Sequence, residues 1–280
     1  MKAIRKILFP TDFSECAKNA FLTSLIFAEK TGADINVLHV VPPEYEALDM
    51  PVMAMQATKD RVENARTVVA SFIKFGLSRS AIKVPQFKIT SEVEIGGISD
   101  TIIGIAERDE CDLIVLGTNS EHGRLERFLG SVASSVVASA NCHVMVIPED
   151  AEPRGFKFVG YASDLHKTDP FQIWEAARII EPFNPIINCV HVNTGEEERP
   201  LNIAELDSFF DNKAPGLQIN FKEMKGEEVW ETLNLFAEQL ELDLLIMSSP
   251  HRNLIERMFH RSITRKMTIY SKVPLLIVRE

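Results

Sequence analysis

The sequence predicts an α/β fold laid down twice, in tandem domains over residues 1–150 and 151–280. Each is read as a mostly parallel sheet with helices on both faces. Three observations carry this. Short apolar runs alternate with helix-patterned segments along the whole chain. The second half repeats the first: Ile35-Asn36-Val37-Leu38-His39-Val40 returns 152 positions on as Ile187-Asn188-Cys189-Val190-His191-Val192, and Thr11-Asp12 returns as Ser163-Asp164. Asp112-Leu113-Ile114-Val115-Leu116 returns only 131 positions on, as Asp243-Leu244-Leu245-Ile246-Met247, so the second copy is shorter between those points. Finally, 280 residues suit two domains, since a domain commonly holds about 100–150 residues. The short, polar, proline-bracketed run Pro148–Pro153 marks the boundary.

In the first copy, Ile7-Leu8-Phe9 is a strand core. Ser14 caps the next helix, and Glu15 in its first turn complements the helix dipole. Ala17, Ala20, Phe21, Ser24, Leu25 and Ala28 form one helical face, and Gly32 suits the helix end. Strand 35–41 follows, then a long helix around 54–75 with Val62, Ala65, Val69, Phe72 and Ile73 as its apolar stripe. Weak alternation over 84–93 suggests a strand near a sheet edge. A helix over 98–108, a buried strand over 112–116, a helix over 131–140 and a closing strand over 143–147 complete the copy. The second copy runs strand 158–162, helix 173–180, strand 186–192, a shorter helix near 203–210, strand 217–223, helix 229–240, strand 244–247, helix 263–270 and strand 275–278.

Composition narrows the function classes. The formal charge of −10 argues against nucleic acid as the main partner, because phosphate backbones are gripped by basic patches. The four cysteines make no C-x-x-C pair and no zinc spacing with histidine. No apolar run approaches the roughly 20 residues of a membrane helix, and the first residues lead directly into a strand-like run rather than a signal peptide. The expectation is a reduced, cytoplasmic, soluble protein with no membrane partner.

The stretches KILFPTDFSECAKNA, INVLHVV and CDLIVLGTNSEHGRLERFLGSVASSVV, with the closing strands CHVMVIP and VPLLIV, resemble the universal stress protein family. The resemblance covers both halves, as in a tandem member. It implies a flavodoxin-like (adenine nucleotide alpha hydrolase-like) five-stranded sheet in each half, order 3-2-1-4-5. A ligand groove is implied at the carboxyl ends of the strands near the switch point. Nucleotide-binding members hold ATP or AMP, often with a divalent ion such as Mg2+; members lacking the glycines bind none. The family commonly pairs domains through the last strand. The short apolar strands 143–147 and 275–278 lead to the expectation of an intramolecular pseudo-dimer.

Residue by residue, the family's glycine signature carries over in part. Gly117 matches its first glycine, Gly130 its third and Ser131 its hydroxyl residue, whereas Ser120 stands where the second glycine belongs. Glycine lets backbone reach a phosphate with no Cβ in the way, and Gly130-Ser131 opens a helix whose free N–H groups favour anions. The alternative is that these glycines only shape a tight connection. Asp12, by resemblance, contacts the adenine or ribose side; otherwise it makes an Asx-turn ahead of Ser14. Val40, by resemblance, offers its backbone to adenine. His39 and His191 are read as structural histidines at strand ends, the alternative being a catalytic pair. In the second copy Ser248, His251 and Arg261 occupy the glycine positions, so no nucleotide is expected there, although Asp164 and Ser262 persist.

Neither a P-loop nor a G-x-S-x-G elbow is present. No residue nominates itself as catalytic and no metal-ligand set is evident. Three readings stand: a nucleotide-sensing stress protein, a nucleotide-free adaptor for an unknown protein partner, and a slow ATP hydrolase.

Overall fold

The computed structural model describes residues 3–43, 51–118, 131–195, 201–214, 216–248 and 273–279, with the side chains of 51–56 excepted. One compact unit runs to Pro153 and the other begins at Arg154.

The first unit is β1 (Lys6–Pro10), α1 (Glu15–Thr31), β2 (Asp34–Val41), α2 (Pro51–Arg79), β3 (Ile89–Ile95), α3 (Ile98–Arg108), β4 (Leu113–Thr118), α4 (Ser131–Ser139) and β5 (His143–Pro148). Every strand pairing is parallel: β1 with β2 and β4, β2 with β3, and β4 with β5. The order is therefore β3-β2-β1-β4-β5. The chain winds one way from β1 to β3 and the other way from β4 to β5. Right-handed crossovers then put α1 and α2 on one face and α3 and α4 on the other.

The central strand is dry on both sides, with Ile7, Leu8 and Phe9 at most 1% exposed. Phe9, Phe21 of α1 and Phe72 of α2 pack as one aromatic cluster, with centroids 5.1, 5.2 and 6.2 Å apart. Each such pair adds about 0.5–1.5 kcal/mol beyond burial. Gly76 lets α2 close on this cluster: a Cβ there would lie 2.4 Å from the Phe21 ring. The face expected of α1 is the buried one, and the helix is capped as its sequence suggests. Ser14 Oγ accepts from Ala17 N, and Gly32, at φ 74°, donates its N–H to Ala28 O.

The second unit repeats the plan with β6 (Phe158–Ala162), α5 (Asp169–Ile180), a 3-10 turn over Glu181–Phe183, β7 (Ile186–Asn193), α6 (Ile203–Lys213), β8 (Gln218–Lys225), α7 (Val229–Gln239), β9 (Leu244–Ser248) and β10 (Leu275–Val278). Its strands pair in parallel in the order β8-β7-β6-β9-β10. The shortening falls where the sequence suggests: α6 has 11 residues where α2 has 29. An Asn202–Glu205 capping box starts α6.

One carboxylate fastens the amino-terminal end of each sheet. Asp112 Oδ2 accepts from Arg5 N at 2.8 Å and Lys6 N at 3.1 Å. Its counterpart Asp243 Oδ2 accepts from Lys157 N and Phe158 N, both at 2.7 Å. Arg154 Nε adds an ion pair to Asp243 Oδ1 at 2.6 Å.

Three element expectations shift or fall outside. The third strand begins at Ile89, not residue 84, and extends to Ile95; Pro85 has no N–H to give a ladder. Helix α5 begins at Asp169, one turn before the expected 173, with Pro170 in its first turn, where a missing N–H costs nothing. The helix expected over 263–270 lies outside the described residues.

Candidate functional site

Four residues turn the chain from the end of β1 into α1, and each has a backbone job. Thr11 N donates to Leu38 O at 2.8 Å. Thr11 Oγ1 accepts from Phe13 N at 3.0 Å, and Asp12 Oδ1 accepts from Ser14 N at 3.0 Å. Phe13 takes φ 65°, a left-handed conformation that bulky residues adopt only under constraint. Its ring stacks on His39 at 4.4 Å and meets Phe72 edge-on at 5.8 Å. His39 Nδ1 lies 2.8 Å from Thr11 O. A carbonyl only accepts, so Nδ1 carries the proton and the ring pins the turn to β2.

Asp12 is exposed at this turn. Val40 is buried as a side chain. Its backbone is another matter. β1 ends opposite Leu38 and β2 runs on to Val41. The Leu38 carbonyl faces β1, where Thr11 N meets it. Parallel ladders alternate by residue, so Val40, two residues on, turns its N–H and C=O to the same side, past the end of β1 and beside the turn that holds Asp12.

Gly117 lies near the end of β4, next to β1 across the switch point. A Cβ there would stand 2.8 Å from Cys16 Sγ, 2.9 Å from Cys16 O and 3.0 Å from Cys16 C. The glycine is thus required by the close approach of the first turn of α1 to β4. Burial, then the charges of Glu149 and Asp12, push the Cys16 thiol up to about 12, so it stays protonated at neutral pH. Ser131 is exposed at the head of α4. Asp12, Cys16 and Gly117 are thereby grouped around the carboxyl ends of β1 and β4. Ser120 and Gly130 lie outside the described residues, as do His251, Arg261 and Ser262. A cavity of about 710 Å3, lined by Asp60, Val62, Arg66 and Ile95 among others, opens where α2 passes the carboxyl end of β3.

The second unit keeps the turn and changes its surroundings. Ser163 N donates to Val190 O at 2.9 Å, Ser163 Oγ accepts from Leu165 N at 3.1 Å, and His191 Nδ1 reaches Ser163 O at 2.9 Å. Leu165 sits at φ 56°, as Phe13 does at 65°. Yet Leu165 is buried, and Asp169 is wholly buried with an oxygen 2.5 Å from Ser163 Oγ. The Tyr161 hydroxyl is buried beside this carboxylate, and burial, then Asp169, pushes its pKa well above the usual phenol value. Ser248 replaces Gly117. In this unit α5 starts at Asp169, two residues later than α1 in the repeat frame.

The sequence reading missed Thr11, Phe13 and Cys16 as parts of this site. The recurrence of a hydroxyl residue as Thr11 and Ser163 was the signal for the turn. Nothing in the sequence pairs Cys16 with Gly117. Among the described residues no group of three or more His, Cys, Asp or Glu could hold a metal ion, and no described helix is long and apolar enough to cross a membrane.

The model of the universal stress protein family matches residues 3–148 and 194–279. The chain belongs to the universal stress protein family. It is similar to a universal stress protein of Thermus aquaticus, encoded in the QAH/OAS sulfhydrylase 3' region, at 31% identity over 144 residues, which is 51% of this chain and 98% of that protein. It is similar to universal stress protein MJ0577 of Methanocaldococcus jannaschii at 26% over 152 residues, 51% of this chain and 94% of that one. A solved universal stress protein from Archaeoglobus fulgidus overlays with a TM-score of 0.73 at 20% identity, covering 99% of this chain and 97% of that one. This last likeness bears on the fold, and it spans both halves.

Proposed function

We propose that this universal stress protein senses adenine nucleotide, ATP or AMP with Mg2+, through the first of its domains, 1–150, while the second, 151–280, takes none. One observation carries the reading: the Val40 backbone edge is turned past the end of β1, beside the exposed Asp12. A purine edge needs such paired backbone groups, and a ribose needs a nearby acceptor. Ser131 stands at the head of α4, and a helix N-terminus favours phosphate. In the second domain the buried Leu165 and Asp169 crowd the matching turn with apolar bulk and negative charge. The Mg2+ would be held by nucleotide phosphates, with no protein cluster needed.

A second reading, the nucleotide-free adaptor, is favoured by one fact. Both Asp12 and Gly117 have folding duties, the first bonding Ser14 N and the second admitting Cys16. Calorimetric titration of MgATP into nucleotide-free protein separates the two. Binding near one site per chain, lost in Gly130→Arg, is the expected result. No heat from verified apo protein refutes nucleotide sensing and leaves the adaptor.

A further inference from the structure

The interior of the second unit turns polar where that of the first is apolar. In the repeat frame Phe9 becomes Tyr161, Ala17 becomes Asp169, Ala20 becomes Gln172 and Gly117 becomes Ser248. These replacements meet on one face of the sheet. Tyr161 stands opposite Ile246 in the parallel register of β6 and β9, and Ser248 is two residues beyond Ile246 on β9. Side chains two apart on a strand share a face, so Tyr161 and Ser248 point the same way. Ser163, two residues beyond Tyr161, continues the ladder through the bond from its N–H to Val190 O at 2.9 Å. Helix α5 covers this face: Asp169 Oδ2 lies 2.5 Å from Ser163 Oγ, and Gln172, one turn on from Asp169, is on the buried side of the same helix. Tyr161, Asp169 and Gln172 are at most 1% exposed and Ser248 is 3% exposed. The turn after β6 is closed as well, with Leu165 buried and its carbonyl accepting from Leu201 N at 3.2 Å.

Several polar groups here are engaged with one another. Ser163 Oγ donates to Asp169 and accepts from Leu165 N at 3.1 Å, and His191 Nδ1 spends its proton on Ser163 O at 2.9 Å. The Tyr161 hydroxyl has no hydrogen-bond partner among the described residues. Burial, then the Asp169 charge, outweigh the opposing pull of the Ser248 hydroxyl and keep this phenol protonated, with a hydrogen to donate. Ser248 does not meet it in hydrogen-bond geometry. A buried hydroxyl without a partner forfeits the bonds it made to water, and in native proteins such groups are as a rule satisfied by protein or by ordered water. We propose that the second unit binds a long-lived water molecule at the Tyr161 hydroxyl, between β6, β9 and α5. A buried water takes about two to four polar partners. The Tyr161 and Ser248 hydroxyls and the side chains of Asp169 and Gln172 supply them. The water both donates and accepts, so it ties the phenol to helix and neighbouring strand where no direct bond is made. The first unit has no counterpart, because Phe9, Ala17, Ala20 and Gly117 bring no polar side-chain atom to the matching place. The inference does not depend on nucleotide binding in the first domain.

A high-resolution crystal structure of the full chain tests the site directly. The expected result is a solvent peak about 2.5–3.2 Å from Tyr161 Oη and at the same range from at least one of Ser248, Asp169 and Gln172. A phenol bonded directly to one of those side chains, with no solvent peak, would overturn the proposal. So would a peak ringed by about six oxygens, which marks a cation instead. Water oxygen-17 relaxation dispersion reads the same site in solution. Tyr161→Phe gives position 161 the residue that position 9 already carries and removes only the hydroxyl. Its dispersion amplitude should fall by about one long-lived water per chain. An undiminished amplitude in a variant whose circular dichroism is unchanged would also refute the inference. If Tyr161→Phe fails to fold, the crystal structure of the unaltered chain still decides.

Discussion

Gly117→Ala tests whether this glycine serves folding before it serves any ligand. The added Cβ meets Cys16 Sγ at 2.8 Å, Cys16 O at 2.9 Å and Cys16 C at 3.0 Å. Two of these are backbone atoms of a capped helix, so no rotamer change relieves them. Overpacking of this kind costs about 1–3 kcal/mol. Against it stands the entropy an alanine saves in the unfolded chain, about 0.5–1 kcal/mol. The net expectation is a loss of about 1–2 kcal/mol. With a urea slope near 1–3 kcal/mol/M, the midpoint of the first unit falls by roughly 0.5–1 M. The assay is urea unfolding without nucleotide, followed by tryptophan-independent circular dichroism so that both units report. Adding Cys16→Ala should restore only part of the loss, because it removes Sγ and leaves the carbonyl. An unchanged midpoint, or full recovery in the double variant, refutes the reasoning.

Other outcomes follow from geometry in the same way. Asp243→Ala should cost about 2–4 kcal/mol and Asp112→Ala about 1–2 kcal/mol, since Asp243 is buried and also pairs with Arg154; paired urea titrations check the ranking. Gly76→Ala should destabilise despite its helix propensity, because the Cβ would enter the Phe21 ring; a rise in the thermal midpoint would contradict the α1–α2 approach. The Arg108 fork lowers the carboxyl pKa of Glu92 and of Asp109, mainly by hydrogen bonding. A depressed carboxyl contributes stability above its unfolded pKa and loses it as pH falls through the folded one. Arg108→Gln should therefore cost about 0.2–1 kcal/mol at pH 7, a cost that shrinks as pH falls through the depressed carboxyl values, as urea titrations at descending pH would show.

Most of the scaffold was legible because periodicity and capping are local. The face of α1, the Ser14 cap and the Gly32 end all lie in a single helix, and the repeat located the strands of both copies. The misjudged boundaries are where local signals compete with tertiary ones. The apolar residues around Val84 alternate like a strand, yet pairing starts only where β2 offers a partner, at Ile89 opposite Ile35. Helix α5 starts before its apolar stripe does, because Asp169 is drawn inward by Ser163, a neighbour no pattern in the sequence reveals. The Asx-turn of Asp12 ahead of Ser14 was legible from its place between a strand and a helix cap. The reason for Gly117 was not, since it depends on where α1 crosses β4.

The paired turns at the ends of β1 and β6 have a practical consequence. Each copy holds a hydroxyl, a left-handed residue and a histidine in the same bonds, while the surroundings of the two differ. The molecule therefore contains its own control experiment. A substitution that harms Thr11 and Ser163, or His39 and His191, alike is an effect on folding. One that matters only in the first member of a pair is an effect on whatever the first domain alone must do. Transplanting Leu165 into position 13, or Phe13 into position 165, would exchange test and control within a single chain.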